Sequence, residues 1–149
     1  MNKKIVYLSG RMDGVSVSEG NGWREYASKF FRNYGESGEW DVYNPYEGKV
    51  EEMKNGKTHT DFGTNEIYHR DIYHLDKSDI VLVNLDLPDT VEKEHCPFFT
   101  IGEMFHAHRD RKPIIAYTNA FKGRPGYDAI VTKTLPNLED CLDYIVTNY

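Results

Sequence analysis

The sequence predicts an α/β fold in three layers, with a mainly parallel sheet of about five strands covered by helices on both faces. Three observations carry this. Short apolar runs recur at residues 4–9, 40–44, 79–85 and 113–117, and several of the segments between them place apolar residues at helical spacing. The run at 79–85, Asp-Ile-Val-Leu-Val-Asn-Leu, is nearly continuous, as expected of a central parallel strand buried on both sides. Finally, 149 residues with 39% hydrophobic and 28% charged content suit one domain over residues 1–149. Strands alternating with helices in this way predict a flavodoxin-like, Rossmann-like strand order.

The first strand, residues 4–9, runs into Gly10 as a buried strand enters a glycine turn. From Glu19 onward, Trp23, Tyr26, Ala27, Phe30 and Phe31 recur at the spacing of a helix packed on one side. Residues 40–44 form a second strand closed by Asn44-Pro45, and residues 45–65 read as a long polar loop rich in Gly and Pro. Residues 64–77 predict a second helix with Tyr68, Ile72 and Leu75 on one face, followed by the strand at 79–85. After a polar segment, residues 100–110 predict a third helix and 113–117 a fourth strand. A last strand is expected at 129–132, before a helix capped by Asn137 that buries Leu138, Cys141, Leu142 and Ile145.

Composition excludes several function classes. The net charge of -6 argues against a broad nucleic-acid surface, which needs concentrated Lys and Arg, so small molecules or proteins are the expected partners. No apolar run approaches the roughly 20 residues of a membrane span, and Met-Asn-Lys-Lys does not open a signal peptide, so a cytoplasmic protein is expected. Cys96 and Cys141 are too few for a disulfide framework or a four-thiolate zinc site, and reduced thiols are expected. His106 and His108, like His69 and His74, lack the i, i+4 spacing of a helical zinc pair, and no metal or redox cofactor is expected.

Ligands of open α/β sheets bind beyond the carboxyl ends of the strands, where three segments converge. In the first, Ser9-Gly10-Arg11, Gly10 admits close backbone approach and Arg11 suits an anion, although a turn with a solvated Arg is equally consistent. It has neither the spaced glycines of a dinucleotide site nor the Gly-Lys-Ser/Thr of a phosphate loop. In the second, Asp86 and Asp89 suit ribose hydroxyls or a base edge, while Pro88-Asp89 also suits a plain turn. The third, Thr100-Ile101-Gly102-Glu103, sets a carboxylate near the start of a helix, where the dipole would keep it ionised. The same tetrapeptide matches a capping box, in which Thr100 and Glu103 only satisfy backbone donors.

Asp71 is the anomaly of the second helix, because it shares a face with Thr64, Tyr68 and Leu75 that should meet the sheet. Such a carboxylate is either paired with a cation or hydroxyl, or works in a pocket that sets its proton affinity. Together with Glu103 it would supply the two acidic groups of glycosyl transfer through a covalent intermediate.

An ordered series of segments resembles the nucleoside 2-deoxyribosyltransferase family and its relatives, the nucleoside-monophosphate N-glycoside hydrolases. It comprises Ile5-Val6-Tyr7-Leu8-Ser9-Gly10, His69-Arg70-Asp71 with Ile72 and Leu75, the run Lys77-Ser78-Asp79-Ile80-Val81-Leu82-Val83, Pro88-Asp89, Thr100-Ile101-Gly102-Glu103 with Ala107, and Lys112-Pro113-Ile114-Ile115. The resemblance implies that Glu103 attacks C1′ of a 2-deoxyribosyl group, that Tyr7 orients it, that Asp71 assists at the sugar and base, and that Asp89 binds or protonates the base. Ser9, Gly10, Arg11, Asp86 and Thr100 complete the candidate substrate-binding set. The resemblance also implies a homo-oligomer, and the turn Ser9-Gly10-Arg11-Met12 is similar to the nucleotide-binding segment of the hydrolases, for which water would be the acceptor. The chain departs from the family by carrying Pro97, Phe98 and Phe99 where an acidic residue and a Gly-Thr pair usually precede the nucleophile. A binding or sensing module that keeps the pocket without turnover is a third reading.

Overall fold

The computed structural model describes residues 2–12, 15–47, 64–87 and 97–149. The long polar segment expected at 45–65 falls mostly outside them, as do Asp89 and Cys96. Strands β1 (Lys4–Gly10), β2 (Trp40–Tyr43), β3 (Ile80–Asn84), β4 (Ile114–Tyr117) and β5 (Lys133–Thr134) form one sheet in the order β2-β1-β3-β4-β5. Every pairing is parallel, and the order reverses between β1 and β3, where Gly10 lies opposite Asn84. This is the flavodoxin-like order.

The period of two along β1 divides the core. Val6 and Leu8 face α1 (Val17–Asn33) and α5 (Leu138–Asn148), packing with Ala27, Phe31, Leu142 and Ile145. Tyr7 faces the opposite layer of α2 (Thr64–Lys77), α3 (Phe98–Arg109) and α4 (Pro125–Ile130), in the cluster of Leu75, Met104, Ala107 and Ile130. β3 serves both layers, with Ile80 and Leu82 on one side and Val81 and Val83 on the other. That explains its uninterrupted apolar sequence.

Helix ends depart from the sequence reading in instructive ways. The alternative of a capping box at Thr100 and Glu103 is absent, because α3 starts at Phe98 after Pro97 and already holds both residues inside the helix. Ser16 instead caps α1, accepting from the Glu19 amide at 3.1 Å and donating its hydroxyl to the Glu19 carboxylate at 3.2 Å. The α3 C-terminus closes with Arg111 at φ 59°, as Arg111 and Lys112 amides return to the His108 and Ala107 carbonyls. Lys112 then spreads its ammonium over the Leu75, Asp76 and Ser78 carbonyls, tying the end of α3 to the end of α2.

The strand expected at 129–132 is a correction. Pro125 opens α4 at a position where its missing N–H costs nothing, Tyr127 and Ile130 bury one face, and the last strand is the pair Lys133–Thr134. A short apolar run such as Ala129-Ile130-Val131 has no period that distinguishes strand from helix. Asn137 does cap α5, accepting from the Asp140 amide at 2.9 Å. On α1 the buried line is Gly20, Arg24, Ala27 and Phe31, whereas Tyr26 is half exposed. On α2 it is Ile67, Asp71 and Leu75.

Candidate active site

The alternation that turns Tyr7 toward α3 does the same for Ser9, and α3 presents Glu103 to both. Tyr7 donates its phenol proton to Glu103 Oε2, and Ser9 donates to Glu103 Oε1 at 3.0 Å. Each carboxylate oxygen therefore has its own hydroxyl donor, supplied by one strand. Glu103 is buried, and desolvation pushes its acid up to about 7 against the opposing pull of the two hydroxyls. The dipole-held, fully ionised carboxylate expected from sequence is thus corrected. Glu103 lies in the second turn of α3, beyond the strongest field of the helix end, and burial dominates. The phenol of Tyr7 is likewise raised by burial and by the Glu103 charge, so it stays a donor.

Asp71 approaches the same face from α2. Its Oδ1 accepts from Tyr43 Oη at 2.9 Å and from Arg70 at 3.1 Å (Nε) and 2.9 Å (Nη2). The anomaly of a sheet-facing carboxylate is therefore resolved by pairing with both a cation and a hydroxyl. Burial still raises its acid from its ordinary value, against the pull of Arg70 and Tyr43, and its charge contributes to the raised acid of Glu103. Tyr43 is the register partner of Tyr7, and the two rings stack with centroids 5.3 Å apart.

The turn after β1 is organised by Arg24, which sequence reasoning missed. This side chain is fully buried on α1 and donates to the carbonyls of Gly10 at 2.9 Å, Leu8 at 3.3 Å, Arg11 at 3.5 Å and Gly20. Burial lowers its proton affinity, while its charge favours ionised Glu103. Its spacing of four and three from Gly20 and Ala27 on the buried line was the available signal. Tyr43 could have been found from its register with Tyr7, and Arg70 from its place beside Asp71.

The remaining candidates divide. Thr100 is buried one turn before Glu103. Arg11 is buried, which overturns the solvated-turn alternative. Gly10 is required by packing: a Cβ there would meet the Trp23 ring at 2.9 Å and the Asn84 carbonyl at 3.1 Å. Asp86 sits half-buried just beyond β3, hydrogen-bonded through its amide to Asn84 and through its carboxylate to the Asn119 backbone, and not to the Glu103 group. Asp89 lies outside the described residues.

Among the described residues, one group has metal-ligand geometry: Asp76, His106 and Asp110, whose ligand atoms lie within 4.8 Å of one another. His106 Nε2 is 2.6 Å from Asp76 and 3.6 Å from Asp110, at the C-terminal ends of α2 and α3 and therefore at the opposite edge of the sheet from the site. No helix of the described residues is long and apolar enough to cross a membrane.

Comparison with known proteins gives a class of fold. The structure is similar to a 2-deoxyribosyltransferase from the psychrotolerant bacterium Bacillus psychrosaccharolyticus, with a TM-score of 0.64 and 15% identity over 97% of this chain and 91% of that one. A 3-dehydroquinate dehydratase-like protein from Bifidobacterium longum aligns with a TM-score of 0.47 and 14% identity over 99% and 97% of the two chains. No protein-family model and no curated protein matches the sequence. The α/β fold is thus shared with a deoxyribosyltransferase at a sequence distance where only the fold follows.

Proposed function

We propose that the chain, as one deoxyribosyltransferase-like domain over residues 1–149, transfers a 2-deoxyribosyl group between nucleobases. The observation that carries this is Glu103, a buried carboxylate with one hydroxyl donor on each oxygen, placed on the same face as a second buried carboxylate, Asp71. The shared fold and the ordered motif series support the same reading.

In the first step a Glu103 oxygen attacks C1′, and the electron pair of the C1′–N bond leaves with the base, which takes a proton from Asp71 or Asp89. In the second, a nitrogen of the incoming base attacks C1′ and loses its proton to that acid, and the ester pair returns to Glu103. The negative carboxylate also stabilises the oxocarbenium-like transition state before it bonds. Tyr7 and Ser9 hold it by its two oxygens, leaving nucleophilic capacity in the remaining lone pairs. No step calls on a metal or redox cofactor. We also propose a homo-oligomer, for which exposed Tyr73, Phe98, Phe99 and Phe105 offer apolar contact area; the mass in solution by light scattering checks it.

A second reading is hydrolysis of a deoxynucleoside 5′-monophosphate to free base and deoxyribose 5-phosphate. Burial of Arg11 at the carboxyl end of β1 favours it, since a guanidinium there suits a phosphate. Chromatography with mass detection, after incubation with pooled deoxynucleosides and their monophosphates with and without a second base, separates the readings. Base exchange establishes transfer, and release without exchange establishes hydrolysis. Silence with calorimetric nucleotide binding leaves a binding module.

A further inference from the structure

Tyr43 stands between the two carboxylates without being either one's immediate chain neighbour. Its ring stacks with Tyr7 at 5.3 Å and 27°, and with His74 of α2 at 4.1 Å and 13°. Two stacks from different elements fix the ring plane, so the hydroxyl has a defined position. That hydroxyl donates to Asp71 Oδ1 at 2.9 Å. Both Arg70 contacts fall on the same oxygen, so three donors converge on Oδ1, and no described group donates to Oδ2.

We propose that Tyr43 is a positioning residue that makes the two oxygens of Asp71 inequivalent and locks Asp71 and Glu103 into one frame: its hydroxyl anchors Oδ1, leaving Oδ2 for substrate, and its ring braces Tyr7 beneath Glu103. Arg70 alone is the weaker anchor, because it is adjacent to Asp71 in the chain and only part-buried, and its bond to the Pro45 carbonyl is long at 3.4 Å. Tyr43 comes from the sheet and supplies the external reference. Chemistry with two carboxylates needs their separation fixed to a fraction of an ångström, and misplacement by about 1 Å costs on the order of 100-fold in rate. This role rests on the proposed glycosyl transfer, while the anchoring itself can be read without turnover.

The groups facing Asp71 are Tyr43 from β2, Arg70 and His74 from α2, Tyr7 from β1, Arg24 from α1 and Glu103 from α3. Of these, Tyr43 and Arg70 favour the ionised form by hydrogen bonding. Tyr43→Phe removes one such bond and keeps the ring, whereas Tyr43→Leu removes both. In a carbon-13 titration of side-chain carboxyls, Tyr43→Phe raises the Asp71 midpoint by about one pH unit and leaves the Glu103 midpoint in place. Tyr43→Leu moves both. On substrate, Tyr43→Phe lowers kcat about 10- to 100-fold with KM within about threefold. An unchanged Asp71 midpoint, or an unchanged kcat in an active enzyme, overturns the role of Tyr43. Full turnover by Glu103→Ala, or no turnover by the parent protein, instead overturns the transfer reading and leaves the titration to decide on Tyr43.

Discussion

Tyr7 and Glu103, 96 positions apart in the chain, meet in a hydrogen bond from the phenol to Oε2, and Ser9 closes on the other oxygen from two residues along the same strand. A strand that presents alternate residues to one helix thus becomes a two-pronged holder for a carboxylate.

Both hydroxyls favour the ionised acid, and burial opposes them. The ionised form lies above about 7, so under the proposed transfer kcat/KM is expected to rise between pH 6 and pH 8. Tyr7→Phe and Ser9→Ala each remove a donor and should move that rise to higher pH, Tyr7→Phe further because its bond is the larger of the two. Activity at pH 7 should fall about five- to sixfold for a displacement of one pH unit. A pH–rate profile of the three proteins checks this.

Stability follows the opposite sign. The folded-state acid of Glu103, at about 7, lies above its ordinary 4.5, so folding prefers the protonated form. That preference is fully present below about 4.5 and is lost as the pH rises through 7. Glu103→Gln removes the loss, and by pH 8 it should exceed the parent protein by about 3 kcal/mol, at about 1.4 kcal/mol per unit of the difference. Urea melts at pH 5 and pH 8 should show the gap opening with pH.

Arg24 fills a different need. Four carbonyls around the β1–α1 turn depend on this guanidinium. Arg24→Met leaves them buried without it and should cost about 2–4 kcal/mol, with Arg24→Lys rescuing little, since one ammonium cannot reproduce the planar fork. The same loss of positive charge should shift the rise in activity to higher pH, because Arg24 favours ionised Glu103. Denaturant melts with paired rate profiles measure both.

Gly20 and Tyr46 form a tight pair. A Cβ on Gly20 would collide with Tyr46 Oη, a buried hydroxyl with no hydrogen-bond partner among the described residues. Gly20→Ala should cost about 1–3 kcal/mol through overpacking. Tyr46→Phe should be neutral or stabilising, and adding it to Gly20→Ala should restore part of the loss, the ring Cζ remaining 2.9 Å from the Cβ. A double-mutant cycle by thermal melting reads the coupling.

The elements with one strong period were legible in the sequence: the uninterrupted β3, the stripes of α1 and α5, and the Asn137 cap. The site carboxylates were legible as anomalies, Asp71 because it faces the sheet and Glu103 because its tetrapeptide joins an ordered series. What escaped was non-local. The donors that distinguish a held carboxylate from a capping one come from β1, so Thr100-x-x-Glu103 reads the same either way until the strand is placed. Tyr43 and Arg24 act through register and burial, which no local pattern records. The strand misplaced at 129–132 fell on a run too short to carry a period.

The most direct measurement is intact-protein mass spectrometry of the chain quenched during incubation with deoxynucleosides and deoxynucleoside monophosphates, followed by peptide mapping. A deoxyribosyl or phosphodeoxyribosyl increment on Glu103, absent from Glu103→Ala together with at least ~10³-fold of the turnover, is the expected result. Base release by Glu103→Ala at the parent rate, or an increment on another residue, would contradict Glu103 as the nucleophile.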